Sequence, residues 1–282
     1  MSAHQFLTNI AVVVTVMAVA SIIEAAVPLF AHAPSGTRRR AANLGLTVVV
    51  FLLNWALSSA AAIVALVTSF QPTDLAARFG VPMLVQIVGG IVLLDFSAGY
   101  LSHRALHAFP VLWRFHRVHH CDDFVDVTTT YRTHPVETVW RFLFVVVPVW
   151  MLGIPALAVL IQRLVSATNG ILEHGNIRLW APLDGVLSLF WVTPNVHKIH
   201  HSRDVGETNS NYGNVLTLYD RLLRTYTPSD RAPSVVYGLD DADSARISSF
   251  SWLLSMPFGT TVQGTLTQKS GSHPASIDNM PV

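Results

Sequence analysis

Charged residues and cysteine are scarce in this sequence. Asp, Glu, Lys and Arg make up only 12% of the 282 residues, whereas soluble domains carry about 25%. The formal net charge of +1 gives no indication of nucleic-acid binding. Cys121 is the only cysteine, which excludes an internal disulfide and a metal site built from thiolates. The composition therefore predicts a membrane protein in which any metal site uses nitrogen and oxygen ligands.

Long apolar segments predict three membrane-spanning helices, because one crossing needs about 20 apolar residues. A cleaved signal peptide is an alternative for the first segment, which ends in small residues, but this segment lacks a basic start. We interpret it as a retained helix in which Glu24 faces protein or the membrane interface rather than lipid. The predicted spans cover about residues 6–31, 43–70 and 81–102.

The densest positive cluster is Arg38-Arg39-Arg40, between the first two predicted spans. Loops rich in Lys and Arg tend to stay in the cytoplasm. This tendency predicts that the loop, and the chain after the third span, are cytoplasmic.

The thirteen histidines are more informative by position than by number. His116, His119 and His120 have the spacing i, i+3, i+4, and His197, His200 and His201 repeat it. On a helix, this spacing puts three imidazoles on one face. Two such faces brought together would form a metal site.

Further histidines precede and follow these triads. His103 and His107 stand one helical turn apart, and His174 and His134 are single. A lone histidine is usually a structural or surface residue, and we keep that interpretation for the others. They are His4, His32 and His273.

Nine or ten imidazoles exceed the needs of one metal ion, since a zinc site takes three or four protein ligands. Two ions would account for the number. Neutral nitrogen donors suit iron, copper and zinc. We predict iron, because a dimetal site beside a membrane suggests oxygen chemistry on a C–H bond, which zinc cannot drive.

If both triads belong to one metal centre, residues 138–172 must begin and end on the same side of the membrane. A single crossing would separate the two triads, and no later segment is apolar enough to bring the chain back. Pro148 and the run Gly153-Ile154-Pro155 interrupt this stretch, and such breaks are tolerated where protein satisfies the backbone. We therefore predict a partly inserted helical hairpin.

The predicted fold is an all-α, integral-membrane helical bundle, with three spans, the hairpin and a cytoplasmic helical cap that holds the metal site. Residues 1–239 form this membrane domain, and the cap consists of residues 103–137 and 173–239. We expect 240–282 to be a polar, partly disordered tail in which 252–258 could dock.

Metal-bound histidines usually donate their second ring N–H to a carboxylate or carbonyl. Asp95 lies eight residues before His103 on the same helical face, and Glu137 follows His134. Both are candidates for this role. Other acids near the triads are weaker candidates, because the alternative of a solvated surface acid is strong. These are Asp122, Asp123, Asp126, Asp204 and Glu207.

At these residues the sequence resembles the fatty acid hydroxylase/sterol desaturase superfamily of membrane-bound, non-haem di-iron enzymes. The resemblance extends over roughly 80–230 and rests on ordered HxxxH, HxxHH and HxxHH boxes. Cys121 and Arg224 depart from the usual pattern without touching a ligand position. The matching stretches are 95–107, 112–120, 129–137, 173–176, 192–202, 209–213 and 220–222.

The resemblance implies that the ten clustered histidines bind two iron ions, and it adds Asn211 and Asp220 as supporting residues. It also implies hydroxylation or desaturation of a fatty acyl chain or sterol with O2 as co-substrate. No electron-carrier site is visible in the sequence, so a ferredoxin- or cytochrome-type donor is expected. A basic cytoplasmic face could receive that partner; it comprises Arg114, Arg117, Arg132 and Arg203.

Two other functions are compatible with a histidine-rich membrane protein. A divalent-metal transporter or sensor would need ligands along a path through the spans, but only Glu24 and Asp95 are acids within them. A catalytically inactive scaffold would be free to lose the histidine boxes, which are intact here.

Overall fold

The computed structural model of the protein describes residues 3–30, 36–67, 78–243 and 245–259. Over these ranges the secondary structure is helical without any strand, and two isolated bridges join Pro28 to Ile177 and Trp191 to Leu216. The predicted all-α fold is confirmed.

Six longer helices form the body of the protein: α1 (Ala3–Ala26), α2 (Gly36–Val67), α3 (Met83–Ala108), α4 (Pro110–His120), α5 (Pro135–Leu152) and α6 (Ala156–His174). Shorter helices follow: α7 (Ala181–Leu187), α8 (Pro194–His200), α9 (Val205–Thr208), α10 (Leu218–Leu222) and α11 (Phe250–Ser255). Three 3₁₀ turns cover Val127–Tyr131, Ala232–Ser234 and Met256–Phe258.

Three helices in the described ranges are long and apolar enough to cross a membrane: Gly36–Val64, Met83–Ala108 and Pro135–Leu152. The first two correspond to the predicted second and third spans, although residues 68–70 lie outside the described part of the chain. The third is the first arm of the predicted hairpin. The predicted first span contributes a shorter apolar segment, Ile10–Ala26.

The faces of α2 show how a span is arranged. Ala42, Leu46 and Val50 recur every four residues and are buried. Leu44, Val48 and Leu52 have the same spacing on another face, and about half of each side chain is exposed. Residues four apart share one side of a helix, so α2 presents one face to the protein and another to lipid.

The hairpin closes at Gly153, whose left-handed backbone (φ 69°) ends α5. A left-handed residue at this position is a common way to end a helix, and glycine adopts it without a Cβ clash. Glu137 near the start of α5 and His174 at the end of α6 both contact histidines of α4. The hairpin therefore returns to its starting side.

A π-helical segment, Asp95–Leu101, interrupts α3 just before its two histidines. Single π-helical turns of this kind are rare and often occur at functional sites. No pattern in the sequence predicts this segment.

Arg39, in the middle of the predicted cytoplasmic cluster of arginines, is fully buried. Its guanidinium donates to Asp122 (3.0 Å), to the backbone carbonyl of Phe124 (2.7 Å) and to Asp126. Asn43, one turn later, also donates to Asp122 (3.0 Å). These bonds join the start of α2 to the segment after α4, so Arg38 and Arg40 lie on the same side of the bundle as the cap.

Glu24, the acid in α1, also faces protein. One of its carboxylate oxygens accepts hydrogen bonds from the backbone N–H groups of Val127 (3.0 Å) and Asn176 (2.9 Å). The expectation that Glu24 avoids lipid is confirmed, and its contacts fix α1 to both halves of the cap.

The predicted basic face is wrong for two of its four arginines. Arg132 is completely buried and donates to the carbonyls of Val118 (2.9 Å) and Ile247 (2.9 Å). Arg117 is 4% exposed and forms an ion pair with Asp241 (2.5 Å). Long apolar side-chain stems allowed these arginines to enter the core, where acceptors satisfy their charge.

Part of the predicted C-terminal tail belongs to the core. Ile247 and Leu253 are buried in one cluster with Leu46, Trp113 and Val118. Residues 252–258, which we expected could dock, lie in α11 and the 3₁₀ turn that follows it. Residues 260–282, which were expected to be disordered, lie outside the described residues.

Replacing Arg39 with Ala should strongly destabilise the protein. Two carboxylates would remain buried without their cation, and breaking a buried ion pair costs about 3–5 kcal/mol. Thermal unfolding in detergent measures the effect. Arg38→Ala is the matched control, since Arg38 is exposed. Equal melting temperatures for the two variants would contradict this role for Arg39.

Candidate metal centre

The first two histidines of the centre come from α3. After the π-helical segment, residues 102–108 return to α-helix and carry buried His103 and His107. Phe109 is extended, and Pro110 begins α4. A proline fits the first turn of a helix because no hydrogen bond is lost there. The sharp turn lets α4 pack beside the end of α3.

The two triads lie on α4 and α8. His116, His119 and His120 lie within the last five residues of α4. Thr193 caps α8 by accepting a hydrogen bond from the N–H of Val196 (3.2 Å), as expected for an N-cap threonine. The triad at 197–201 follows directly, and its three rings are buried.

Nine histidines converge into two buried groups, in each of which the possible ligand atoms lie within 4.8 Å of one another. Group one consists of His103, His107, His116, His120 and His200. Group two consists of His119, His174, His197 and His201.

Each triad is divided between the groups. In the first triad, His116 and His120 belong to group one and His119 to group two. In the second, His197 and His201 belong to group two and His200 to group one. The i, i+4 pair of each triad thus serves one group, and the i+3 residue reaches the other. Neither group can form without both helices.

Ring nitrogens within group one face each other without a hydrogen between them. The Nε2 atoms of His103 and His116 are 3.1 Å apart. The Nδ1 atom of His103 lies 2.9 Å from the carbonyl of Tyr212, and that of His116 lies 3.0 Å from Glu137. Since both acceptors require a proton on Nδ1, both Nε2 atoms carry lone pairs. A cation between them would relieve this opposition.

In group two, the ring of His174 is oriented by an acceptor in the same way. Its Nδ1 donates to the carbonyl of Gly170 (2.6 Å), so its Nε2 is bare. This Nε2 lies 3.1 Å from the Nε2 atoms of both His119 and His197. His201 Nε2 is 3.2 Å from His197 Nε2.

Two further rings of group one are oriented in the same way. His107 and His200 direct Nδ1 to Asn209 (3.3 Å) and to the carbonyl of Ser210 (2.7 Å). Their buried Nε2 atoms have no hydrogen-bond partner. Buried polar atoms are nearly always satisfied, so these two nitrogens are available to bind a metal ion.

The spacing also fits a metal ion. Four nitrogens placed tetrahedrally about 2.0 Å from a metal lie about 3.3 Å from one another, close to the observed 3.1–3.2 Å. The donor set, which is entirely imidazole, suits iron, copper or zinc.

Burial keeps these rings neutral, which is the form that binds metals. Desolvation by burial, with a smaller contribution from neighbouring histidines, lowers the pKa values of His116, His119, His120, His197 and His201 well below the usual 6.5. Burial lowers the pKa of His200 to about 4. The imidazoles are therefore unprotonated at pH 7.

Of the predicted supporting acids, Glu137 contacts a histidine directly. It bonds His116 on one oxygen and accepts from Arg141 Nε on the other (2.8 Å). Asp95 instead accepts from the backbone N–H of Leu216 (3.3 Å). Asp122 and Asp126 bond to Arg39 and not to imidazoles.

Asp220 and Asn211 act through the loop between α9 and α10. Asp220 accepts from the N–H groups of Tyr212 (2.9 Å) and Gly213 (2.8 Å), and so holds the loop whose carbonyl bonds His103. Asn211 donates to the carbonyl of Val196 (3.1 Å) and ties the loop to α8.

His134, the tenth predicted ligand, lies outside both groups. Its Nδ1 accepts from the N–H of Val136 (3.2 Å) and caps α5, while Nε2 lies 3.2 Å from the carbonyl of Leu254. Its ring packs against Phe115 and Phe258. These contacts describe a structural residue that joins the cap to the C-terminal segment.

Sequence reasoning missed most of the acceptors that orient the rings. Three of them are backbone carbonyls, at Gly170, Ser210 and Tyr212. A carbonyl leaves no side-chain pattern to read. Asn209 was visible only as part of the stretch 209–213.

Comparisons with known proteins find similarity to lipid-modifying enzymes. A fatty acid hydroxylase family model matches residues 87–225. An ornithine lipid hydroxylase from Rhizobium tropici is 35% identical over 158 residues, which cover 56% of this chain and 46% of that protein. Alkylglycerol monooxygenases from Caenorhabditis elegans and Danio rerio are 26% and 28% identical over 50% of the chain, and 27% and 30% of their own lengths. The matched segment thus spans less than half of each relative. No solved structure matches the chain.

The division of the triads predicts separable metal loss. The wild type should hold about two metal ions per chain, since nine ligands exceed the needs of one ion. His120→Ala should lower occupancy of group one and His201→Ala that of group two, leaving about one ion each. His134→Ala is the control and should keep both. Elemental analysis of purified protein measures the ratio; a full loss in the His134 variant would contradict the assignment.

Glu137→Gln should weaken metal binding while leaving all nine histidines in place. The amide supports the His116 ring less well than a carboxylate, and such outer partners are worth roughly 10–100-fold in metal affinity. Chelator competition would measure the affinity. Glu207→Gln, which removes an ion pair with Arg231 away from the rings, should leave it unchanged.

Proposed function

We propose that this protein is an O2-dependent lipid hydroxylase with two iron ions in its histidine groups, because a fatty acid hydroxylase family model matches residues 87–225. The observation that carries the proposal is the set of buried imidazole nitrogens that converge to 3.1 Å from one another within each group. When bound, iron would supply the redox chemistry that activates O2 and breaks an unactivated C–H bond.

The residues of the chain would hold the ions and fix their surroundings. The five-histidine and four-histidine groups would each take one ion. Hydrogen bonds from Nδ1 to Tyr212, Ser210, Gly170 and Glu137 would keep the rings aimed at the metals. Such support raises ligand basicity and holds the geometry rigid.

A cavity of about 340 Å³ supports a lipid substrate. At one end it is lined by His103, His119, His174 and His197, and elsewhere by residues of α1, α2, α5 and α6. Its lining is mostly apolar, with Val13, Phe51 and Leu160 among the side chains. A lipid chain could therefore approach both histidine groups from between the membrane helices.

The relatives favour hydroxylation over desaturation. Those described above are a hydroxylase and monooxygenases, so we propose that an oxygen atom is transferred to the substrate. The sequence alone left both outcomes open.

We further propose that the cap faces the cytoplasm and receives electrons from a ferredoxin- or cytochrome-type protein. Exposed Arg38 and Arg40 lie on the side of the cap, which fits the positive-inside tendency. Arg114 and Arg203 remain exposed for an acidic partner, although Arg203 pairs with Asp240 (3.5 Å).

The proposal predicts a new oxidised lipid in cells that express the protein. Membrane lipids from cells with the wild type and with His120→Ala/His200→Ala would be compared by mass spectrometry under isotopically labelled O2. A lipid that gains one labelled oxygen only with the wild type is the expected result. A product that loses two hydrogens would indicate desaturation instead. Absence of any difference, with iron bound, would contradict enzymatic function.

A further inference from the structure

Arg163 is a cation without a protein partner in the hairpin. It lies within α6, which forms the returning arm, and lines the cavity that reaches the histidines. Among the described residues, no acid forms an ion pair with it and no acceptor takes a hydrogen bond from it. A charged side chain at such a position is costly and usually functional.

The arginines that the protein buries have polar partners, whereas the side chain of Arg163 is exposed. Arg39 binds two aspartates, and Arg132 bonds to two backbone carbonyls, Asn43 and Cys121. The second arginine of the cavity, Arg141, pairs with Glu137. Of the two arginines that line this cavity, Arg163 is thus the one whose guanidinium has no acid beside it.

The acidic side chain that lines the same cavity is committed elsewhere. Glu173 is buried and accepts hydrogen bonds from Asn214 (3.1 Å) and Asn169 (3.3 Å). It also lies 3.9 Å from ring nitrogens of His174 and His197. The guanidinium of Arg163 is therefore free to bind an anionic group that enters the cavity.

The cavity has its cation and its histidines at separate positions along one helix. Arg163 precedes His174 by eleven residues on α6, which is about 16 Å along a helix. A molecule that touches both would need an anionic group at one point and an oxidisable carbon several bonds away.

We infer that the cavity selects lipids with an anionic group, a carboxylate or a phosphate, which binds Arg163. Guanidinium forms paired hydrogen bonds with either group. The inference rests on the proposed function for the identity of the reaction, but the binding step is independent of turnover. An uncharged lipid of equal length would leave the cation unpaired and bind more weakly.

Binding to purified, full-length protein in one non-ionic detergent tests the inference. Two matched pairs serve as probes: a fatty acid against its primary alcohol, and a phosphatidic acid against its diacylglycerol. The variants are Arg163→Gln, the conservative Arg163→Lys, and Arg178→Gln as the control. Arg178 is exposed and lies outside the cavity lining. Metal content of each variant verifies that the fold is intact.

The wild type should bind the anionic member of at least one pair about tenfold more tightly, as expected for a charge-assisted hydrogen bond. The pair that shows the preference identifies carboxylate or phosphate. Arg163→Gln should abolish the preference, Arg163→Lys should retain part of it, and Arg178→Gln should keep it. Equal affinities within both pairs for the wild type, or a preference that persists in Arg163→Gln, would overturn the inference.

This outcome is separate from that of the proposed function. An anion preference with no oxidised product would uphold the binding site and reject the enzyme. An oxidised neutral lipid, with no anion preference, would uphold the enzyme and reject the binding site.

Discussion

Lone pairs that face one another in a dry interior are the constraint on which this structure depends. In each histidine group, a ring has its Nδ1 proton committed to an acceptor, and its bare Nε2 lies about 3 Å from the Nε2 of another ring. Between His103 and His116 no hydrogen bond can relieve the contact, and burial keeps a second proton off the rings of His116 and His197. Bound cations would replace the repulsion between these nitrogens with metal–ligand bonds, and metal binding would thereby stabilise the fold.

Each triad contributes two histidines to one group and one histidine to the other, and this couples the two groups. Because His119 and His200 each reach across, α4 and α8 must pack in one register for either group to form. The rest of the fold serves this register. Asp220 holds the loop that bonds His103, Arg39 fixes the segment after α4, and the hairpin returns His174 to the centre.

The sequence was sufficient to predict the helical membrane fold, the return of the hairpin and the nine clustered histidines, because each leaves a local pattern. Hydropathy predicts spans, and i, i+3, i+4 spacing predicts a shared face. It was not sufficient for features set by tertiary packing. The division of each triad depends on the angle between α4 and α8, and burial of Arg117 and Arg132 depends on distant acceptors. His134 lies in a motif that predicts a metal ligand, but in the structure its ring caps a helix.

The C-terminal segment is a second case in which tertiary packing was not predictable from the sequence. Residues after 240 look polar in composition, yet Ile247 and Leu253 enter the core with Trp113. The partner of a buried group is a property of the folded chain, and this is also why Arg163 was not singled out from the sequence. Its importance is visible only where acids near it are seen to be engaged elsewhere.

The central claim is that imidazoles alone from this chain hold two ions in separate groups. X-ray absorption spectroscopy of the iron-loaded protein tests it most directly. The account predicts about four to five imidazole nitrogens around each iron, with no sulfur scattering, and a loss of imidazole signal in the His120→Ala/His201→Ala protein. A first shell made mostly of oxygen, or a sulfur ligand from Cys121, would contradict it.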